Sequence, residues 1–397
     1  MPPMIRGSAR PAPLSPLALA ASGGIAFAYL AHLLAALAAH NWMVDPNGRP
    51  LELDFLSFWS AGHLALGGQA GAAYDWPTMH ALQRQMMGHD PAGYLGWAYP
   101  PLFFCAAMVL ALMPYAASFL VWVGATLAIY ALAIARTARD RGAVLIACAA
   151  PAALACAAVG QNGFLTAALI AAVLLQLETR PLLAGFLLGL LTYKPHFGLL
   201  FPVALIFGGY WRVFFAAAVT AFAILLASWL AAPDSLAAFA AHMGNMSANF
   251  LTGGSAGFYK LQSLYGLLRL WGVGDRAAFA AQGVLLVALA AFVAWLWRSG
   301  SSLALKSAGL CVAALLATPY LYFYDFPILS VAIAFLWRAS PFSRDETALL
   351  LASQLAMAAF VTVDAPMGFA GSVLVLAVVA GRLLGPALKA SRQPRPA

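Results

Sequence analysis

The chain is short of charge, and above all of negative charge. Of its 397 residues 13 are acidic and 21 basic, and charged residues make up 9% of the whole. Soluble domains carry roughly 25%, so a water-exposed globular surface is excluded. Cysteine is scarce too. Cys105, Cys148, Cys156 and Cys311 stand singly inside apolar stretches, none at metal-ligand spacing, and read as core residues that say nothing of redox compartment. A GxxxxGK[ST] phosphate loop and an HExxH zinc motif are both missing, as are an arginine-rich voltage-sensor helix and any internal repeat. These absences argue against ATP-driven transport by this chain alone.

What is present is apolar. Hydrophobic residues make up 63% of the chain, the composition of an all-α polytopic membrane protein. No polar stretch is long enough for a second globular domain, so residues 1–397 read as one membrane domain. Residues 1–16, with Arg6, Arg10 and prolines at 2, 3, 11 and 13, read as a cytoplasmic tail. The apolar segment after them lacks a small-residue cleavage site and reads as a retained helix. Stretches suited to crossing roughly 30 Å of hydrocarbon run at about 17–39, 117–135, 142–158, 161–177, 181–193, 195–209, 211–231, 278–297, 303–318, 323–338, 346–363 and 367–385. That makes twelve crossings if 99–114, YPPLFFCAAMVLALMP, is not one of them.

Charge placement decides that point. With 99–114 as an interfacial helix, both termini are cytoplasmic and 15 of the 21 basic residues fall inside, as the positive-inside rule requires. Residues 386–397 then form a second cytoplasmic tail. The two long loops, 40–98 and 232–277, lie outside, along with nine of the 13 acids and six of the seven histidines. Side chains capable of chemistry therefore collect on the extracytoplasmic face. The net charge of +8 is spread over short loops and does not point to nucleic acid.

In the first long loop, LELDFLSFWSAGHLALGGQAGAAY (51–74) sets Glu52 and Asp54 against an apolar run. A carboxylate there is costly unless it meets water, a partner or a substrate. Asp54 reads as a general base or a charge-stabilising carboxylate, with a helix N-cap or a loop salt bridge as the alternative. Glu52 and Asp54 have the spacing of a divalent-cation pair, but two carboxylates alone do not make a site, and no metal is expected. Trp59, His63 and Tyr99 are further pocket candidates. Gly160-Gln161-Asn162-Gly163 joins two apolar segments. Its amides need partners at that depth and its glycines allow close backbone approach, so a turn that also lines a pocket is expected.

Thr192-Tyr193-Lys194-Pro195-His196 interrupts what would otherwise be one long helix. Lys194 suits a lipid-carried phosphate at headgroup depth, or else snorkels, and His196 would support it. Thr318 to Asp325, TPYLYFYD, offers Tyr320, Tyr322 and Tyr324 to a sugar or phosphate, or to an aromatic belt. Asp325 beside a long apolar run needs a function or a partner. In the second long loop Asn245, Asn249, Lys260, Gln262 and Ser263 read as a lid or an acceptor-facing edge.

These pieces resemble glycosyltransferase family 87, membrane enzymes of the GT-C class that include polyprenyl-phosphate-mannose-dependent mannosyltransferases. The resemblance rests on DFLSFWSAGHLALGG and AAYDW, YPPLFFCAAMVLALMPYAASFLVW, GQNGFLTAALI, YKPHFGLLFPVALIFGGYWR, QSLYGLL and TPYLYFYDFPILS, in that order from about residue 54 to 335. It implies a GT-C-like fold in the bacterial inner membrane, with interfacial helices and the catalytic aspartate in the first extracytoplasmic loop. By motif position Asp54 would be the base that deprotonates an acceptor on a glycan, glycolipid or protein. The donor would be a polyprenyl-phosphate sugar, mannose-like, consumed as a substrate with inversion and without a cofactor. Lys194 and His196 match the family's KPH-like motif near the donor phosphate. Where mannosyl members carry histidine near TPYLYFYD, this chain has tyrosines and Asp325. A competing class is a secondary transporter or flippase of lipid-linked sugars, which calls for polar groups near the midplane and two similar halves. A non-catalytic envelope scaffold is a third.

Overall fold

The computed structural model describes residues 15–255 and 257–391. The expected N-terminal tail up to residue 14 and the last part of the expected C-terminal tail, 392–397, lie outside the described residues. Among the described residues the chain is helical and has no strand; Trp42, Val44 and Pro50 form isolated bridges only.

All twelve apolar stretches are helical, but they are unequal. Among the described residues Pro16–Ala38, Tyr115–Ala138, Trp211–Ala231, Asp275–Arg298 and Met367–Gly385 are long and apolar enough to cross a membrane. Gly142–Cys148 and Pro151–Val159 make a sixth if taken as one span bent by 61°. The others, such as Gly163–Gln176, Pro181–Leu190, Leu303–Ala317 and Pro327–Ala339, fall short. Length alone thus supports five or six crossings where hydropathy predicts twelve. The reason is local. Proline and glycine cut the apolar runs, because proline restarts a helix it cannot continue: Pro151 and Pro195 each open a new helix.

Packing separates an outer set of helices from an inner one. Pro16–Ala38 buries no residue and Trp211–Ala231 buries only Val213, so rows of Leu and Phe face outward as they would toward lipid. Leu303–Ala317 and Pro327–Ala339 are buried almost all round, which is why they are apolar all round. Residues 99–114 contain a short turn, Pro101–Phe103, and the eight-residue helix Phe104–Ala111, too short to span and packed against Phe55–Leu66.

Contacts divide the connections between two ends of the molecule. At one end Phe55 packs on Tyr115, Trp42 on Phe119 and Phe323 on Phe360, while Gln262 accepts a bond from the Gly368 N–H. One helix length away, Tyr210 bonds Glu178 and packs on Trp297, and Arg298 lies over Phe207. There too Arg382 bonds Glu346 and the Leu336 carbonyl. The candidate site forms at the first end.

Candidate active site

Asp54 stands just before the helix Phe55–Leu66. Its backbone is already helical (φ −54°, ψ −30°) and its side chain caps nothing, so the N-cap alternative falls away. Aromatic packing fixes the helix from behind. Phe55 lies 5.5 Å from Tyr115 and 5.3 Å, edge-on, from Phe119. Phe58 sits among Trp97, Tyr99, Phe103 and Trp122. The carboxylate is thereby aimed at the far side of the sequence, where the Gln161 Nε2 donates to its Oδ2 at 3.1 Å.

Gln161 is itself held. Its Oε1 accepts from the Tyr99 hydroxyl at 3.1 Å and from the Asn162 N–H at 3.2 Å. The turn that presents it depends on Gly160, which has φ +70° and whose missing Cβ would press into the ring of Phe119 and the Cβ of Phe55. Trp122 Nε1 donates to the Gly160 carbonyl at 3.0 Å.

Proline shapes the second half of the site. A residue before proline is pushed out of the helical region, and Lys194 adopts φ −133°, ψ 70° between the turn Leu191–Tyr193 and the helix opened by Pro195. Its Nζ meets Asp325 Oδ1 at 2.6 Å, with the two side chains only 6% and 3% exposed. The ammonium also lies 5.3 Å over the ring of Tyr324. The other Asp325 oxygen accepts the Tyr322 N–H at 3.3 Å. Lys194 was expected to offer an open charge to a headgroup; instead the structure pairs it, because two charges at this depth each need a partner.

One cavity of about 610 Å³ joins these groups. Asp54, Tyr99 and Gln161 line it, as do Lys194 and His196. Tyr320, Tyr322, Tyr324 and Asp325 complete that wall. Burial raises the Asp54 carboxyl above its ordinary value; the Gln161 amide, then the charges of Lys260 and Lys194, act in the opposite direction.

Five predicted site residues are not on the wall. The Glu52 carboxylate accepts the N–H groups of Ala92 and Gly93 at 2.8 and 2.6 Å. It therefore braces the loop and does not converge with Asp54 on a cation. Trp59 donates to the Met113 carbonyl at 3.0 Å, and His63 bonds the Trp59 carbonyl at 2.9 Å. Both serve the seating of their helix. Asn162 is fully buried beside the cavity, its amide atoms without a hydrogen-bond partner among the described residues. Gln262 spans from the Tyr259 carbonyl (2.7 Å) to the Gly368 N–H (2.8 Å), and its own N–H reaches the Leu321 carbonyl at 2.8 Å. It ties the second long loop to the tyrosine segment.

Other lining residues went unremarked in the sequence. Ser57, within DFLSFWSAGHLALGG, has no role singled out there, and Tyr94 carries no motif. Phe239, Met243 and Met246 form an apolar flank from Pro233–Met246; their spacing on one helical face was the available signal. The letters GGSAG at 253–257 spell a serine elbow but follow the helical turn Ser247–Thr252, where a true elbow follows a strand.

A sequence model of glycosyltransferase family 87 matches residues 97–319, more than half of the chain. The chain belongs to glycosyltransferase family 87. The family 87 match takes in Tyr99, Gln161, Asn162, Lys194, His196 and Gln262, whereas Asp54 precedes it and Tyr320 to Asp325 follow it. Folding brings both flanks onto the matched region. Among curated proteins and solved structures, none matches the chain. With its set of long apolar helices, this family 87 member is a membrane glycosyltransferase.

Proposed function

We propose that the enzyme moves a sugar, mannose-like, from a polyprenyl-phosphate carrier to a hydroxyl of a glycan, glycolipid or protein, inverting the anomeric centre. One observation carries the proposal. Among the described residues two carboxylates line the cavity; Asp325 is bound to Lys194, whereas Asp54 makes no salt bridge and takes a hydrogen bond from the neutral Gln161 amide. A carboxylate left without a salt-bridge partner in an apolar cavity is poised to take a proton.

In this reading Asp54 accepts the acceptor hydroxyl proton as that oxygen bonds the anomeric carbon. The bond from that carbon to the phosphate oxygen breaks, and its electron pair leaves with the phosphate. Retention would require a second carboxylate free to act as nucleophile, and Asp325 is committed. Lysine charge faces the phosphate, His196 and the tyrosines Tyr320, Tyr322 and Tyr324 frame the sugar, and the flank of Phe239, Met243 and Met246 suits a prenyl chain. The sugar arrives already activated, so no cofactor is called for. Counting each bent or shortened helix as one pass gives twelve, in a GT-C-like arrangement. The family resemblance favours the bacterial inner membrane, and the distribution of basic residues argues for the site facing outward.

The test is transfer from a short-chain polyprenyl-phosphate mannose by the purified protein in detergent. Asp54→Asn should lower the rate by about 10²–10⁴-fold while the protein stays folded. Undiminished transfer would overturn the assignment. Movement of intact lipid-linked sugar across vesicles, without product, would identify a transporter instead.

A further inference from the structure

Two ammonium groups line the cavity, and they are not equivalent. Lys194 is buried, 2.6 Å from Asp325 and stacked on Tyr324. Its charge is already balanced, and drawing it toward a ligand would strip a buried carboxylate of its partner. Lys260 is exposed, and among the described residues no carboxylate lies within salt-bridge reach of it. Its ammonium lies 5.8 Å from the centre of the Tyr259 ring, and its charge also reaches Asp54 across the cavity.

The backbone at Lys260 is nevertheless fixed. Lys260 closes the turn Phe258–Lys260, and the Gln262 bonds to Leu321, Tyr259 and Gly368 follow within two residues. The Ser263 hydroxyl adds a bond to the Pro319 carbonyl at 2.8 Å. A cation without a salt-bridge partner among the described residues is thus anchored through its backbone beside the cavity, by bonds to the segment that carries the tyrosines. When a sugar leaves a phosphodiester, the phosphate gains a negative charge, and a cation at that place not engaged by a carboxylate stabilises the transition state more than the ground state.

Resting on the donor reading above, we infer that Lys260 is the residue that binds the donor's phosphate, while Lys194 positions Asp325 and the tyrosine segment without touching it. Sequence order favours the opposite choice, since Lys194 sits in the family-like motif.

The experiment titrates the full-length protein in detergent with a short polyprenyl monophosphate, and separately with the uncharged polyprenol. Wild type should bind the phosphate more tightly. Lys260→Gln should weaken phosphate binding by about tenfold or more, Lys260→Arg should restore most of it, and polyprenol binding should not change. A merely structural role would weaken both lipids together, and that result would overturn the inference. Wild-type phosphate binding that survives Lys260→Gln intact would overturn it as well, leaving the donor reading in place. If wild type fails to prefer the phosphate over the alcohol, the donor reading falls and the inference with it.

Discussion

A carboxylate held inside an apolar cavity costs the fold something, and Asp54, the proposed base, lets that cost be measured. Its carboxyl is raised by burial, so the folded state favours the neutral form. The stability this group contributes is present in full below its unfolded pKa, about 3.9, and is lost as pH rises through the raised folded value. Asp54→Asn should therefore melt at a higher temperature than wild type at neutral pH, and the gap should close as the pH is lowered. Activity runs the other way. In its proposed role Asp54 must be ionised, so the acidic limb of the rate profile should lie above the ordinary carboxylate range. A limb at the ordinary position would show that burial does not govern this group. The Lys194–Asp325 pair is the complementary case. Lys194→Met leaves a buried carboxylate uncompensated and should cost about 3–5 kcal/mol, most of which Lys194→Met/Asp325→Asn should recover in thermal denaturation. The sequence announced Asp54, Lys194 and Asp325 as residues in need of partners, because charge beside apolar runs is rare and expensive. It could not say that two of them satisfy each other, since 131 residues separate the pair.

Breaks in helices, more than the helices themselves, build the site. Gln161 sits in one break, Lys194 in another, and the tyrosine segment in a third between Leu303–Ala317 and Pro327–Ala339. Prolines and glycines made these interruptions legible in the sequence; their convergence was not, because hydropathy carries no information on which breaks face one another. Gly163 shows how closely they meet. A Cβ there would fall on the carbonyl oxygen of Tyr324, a backbone atom that cannot swing aside. Gly163→Ala should force the tyrosine segment off the helix, destabilising the protein by about 1–3 kcal/mol and lowering transfer further than the lost stability explains. Gly198→Ala is the control, with open space around its Cβ. Equal behaviour of the two variants would mean that the close approach is not functional. The same reasoning explains the miscounted spans: apolar content predicted crossings, while the breaks shortened six of the stretches below membrane length.

The whole molecule keeps its few charges apart. Asp54, Lys194, Asp325 and Lys260 gather at one end. Arg298 and the bonded pair Arg382 and Glu346 lie a helix length away, next to segments that also carry Arg338 and Arg344. Burying a charge within hydrocarbon is costly, so the charges collect at two polar ends, and in the proposed topology the end with the basic surplus is the cytoplasmic one. This polarity was readable from the sequence because it depends on which loop a residue occupies and not on contacts. It can be tested without any substrate. Cys105 is exposed, while Cys156 and Cys311 are buried and Cys148 is half-buried, so a Cys105→Ser background leaves little thiol to react. In that background His89→Cys lies on an exposed part of the first long loop, and Gly300→Cys lies at the opposite end, where a Cβ meets no neighbour. A membrane-impermeant maleimide should label His89→Cys in intact spheroplasts and should reach Gly300→Cys only after permeabilisation. The reverse pattern would put the Asp54 cavity in the cytoplasm, where donor and acceptor would both have to be sought among cytoplasmic molecules.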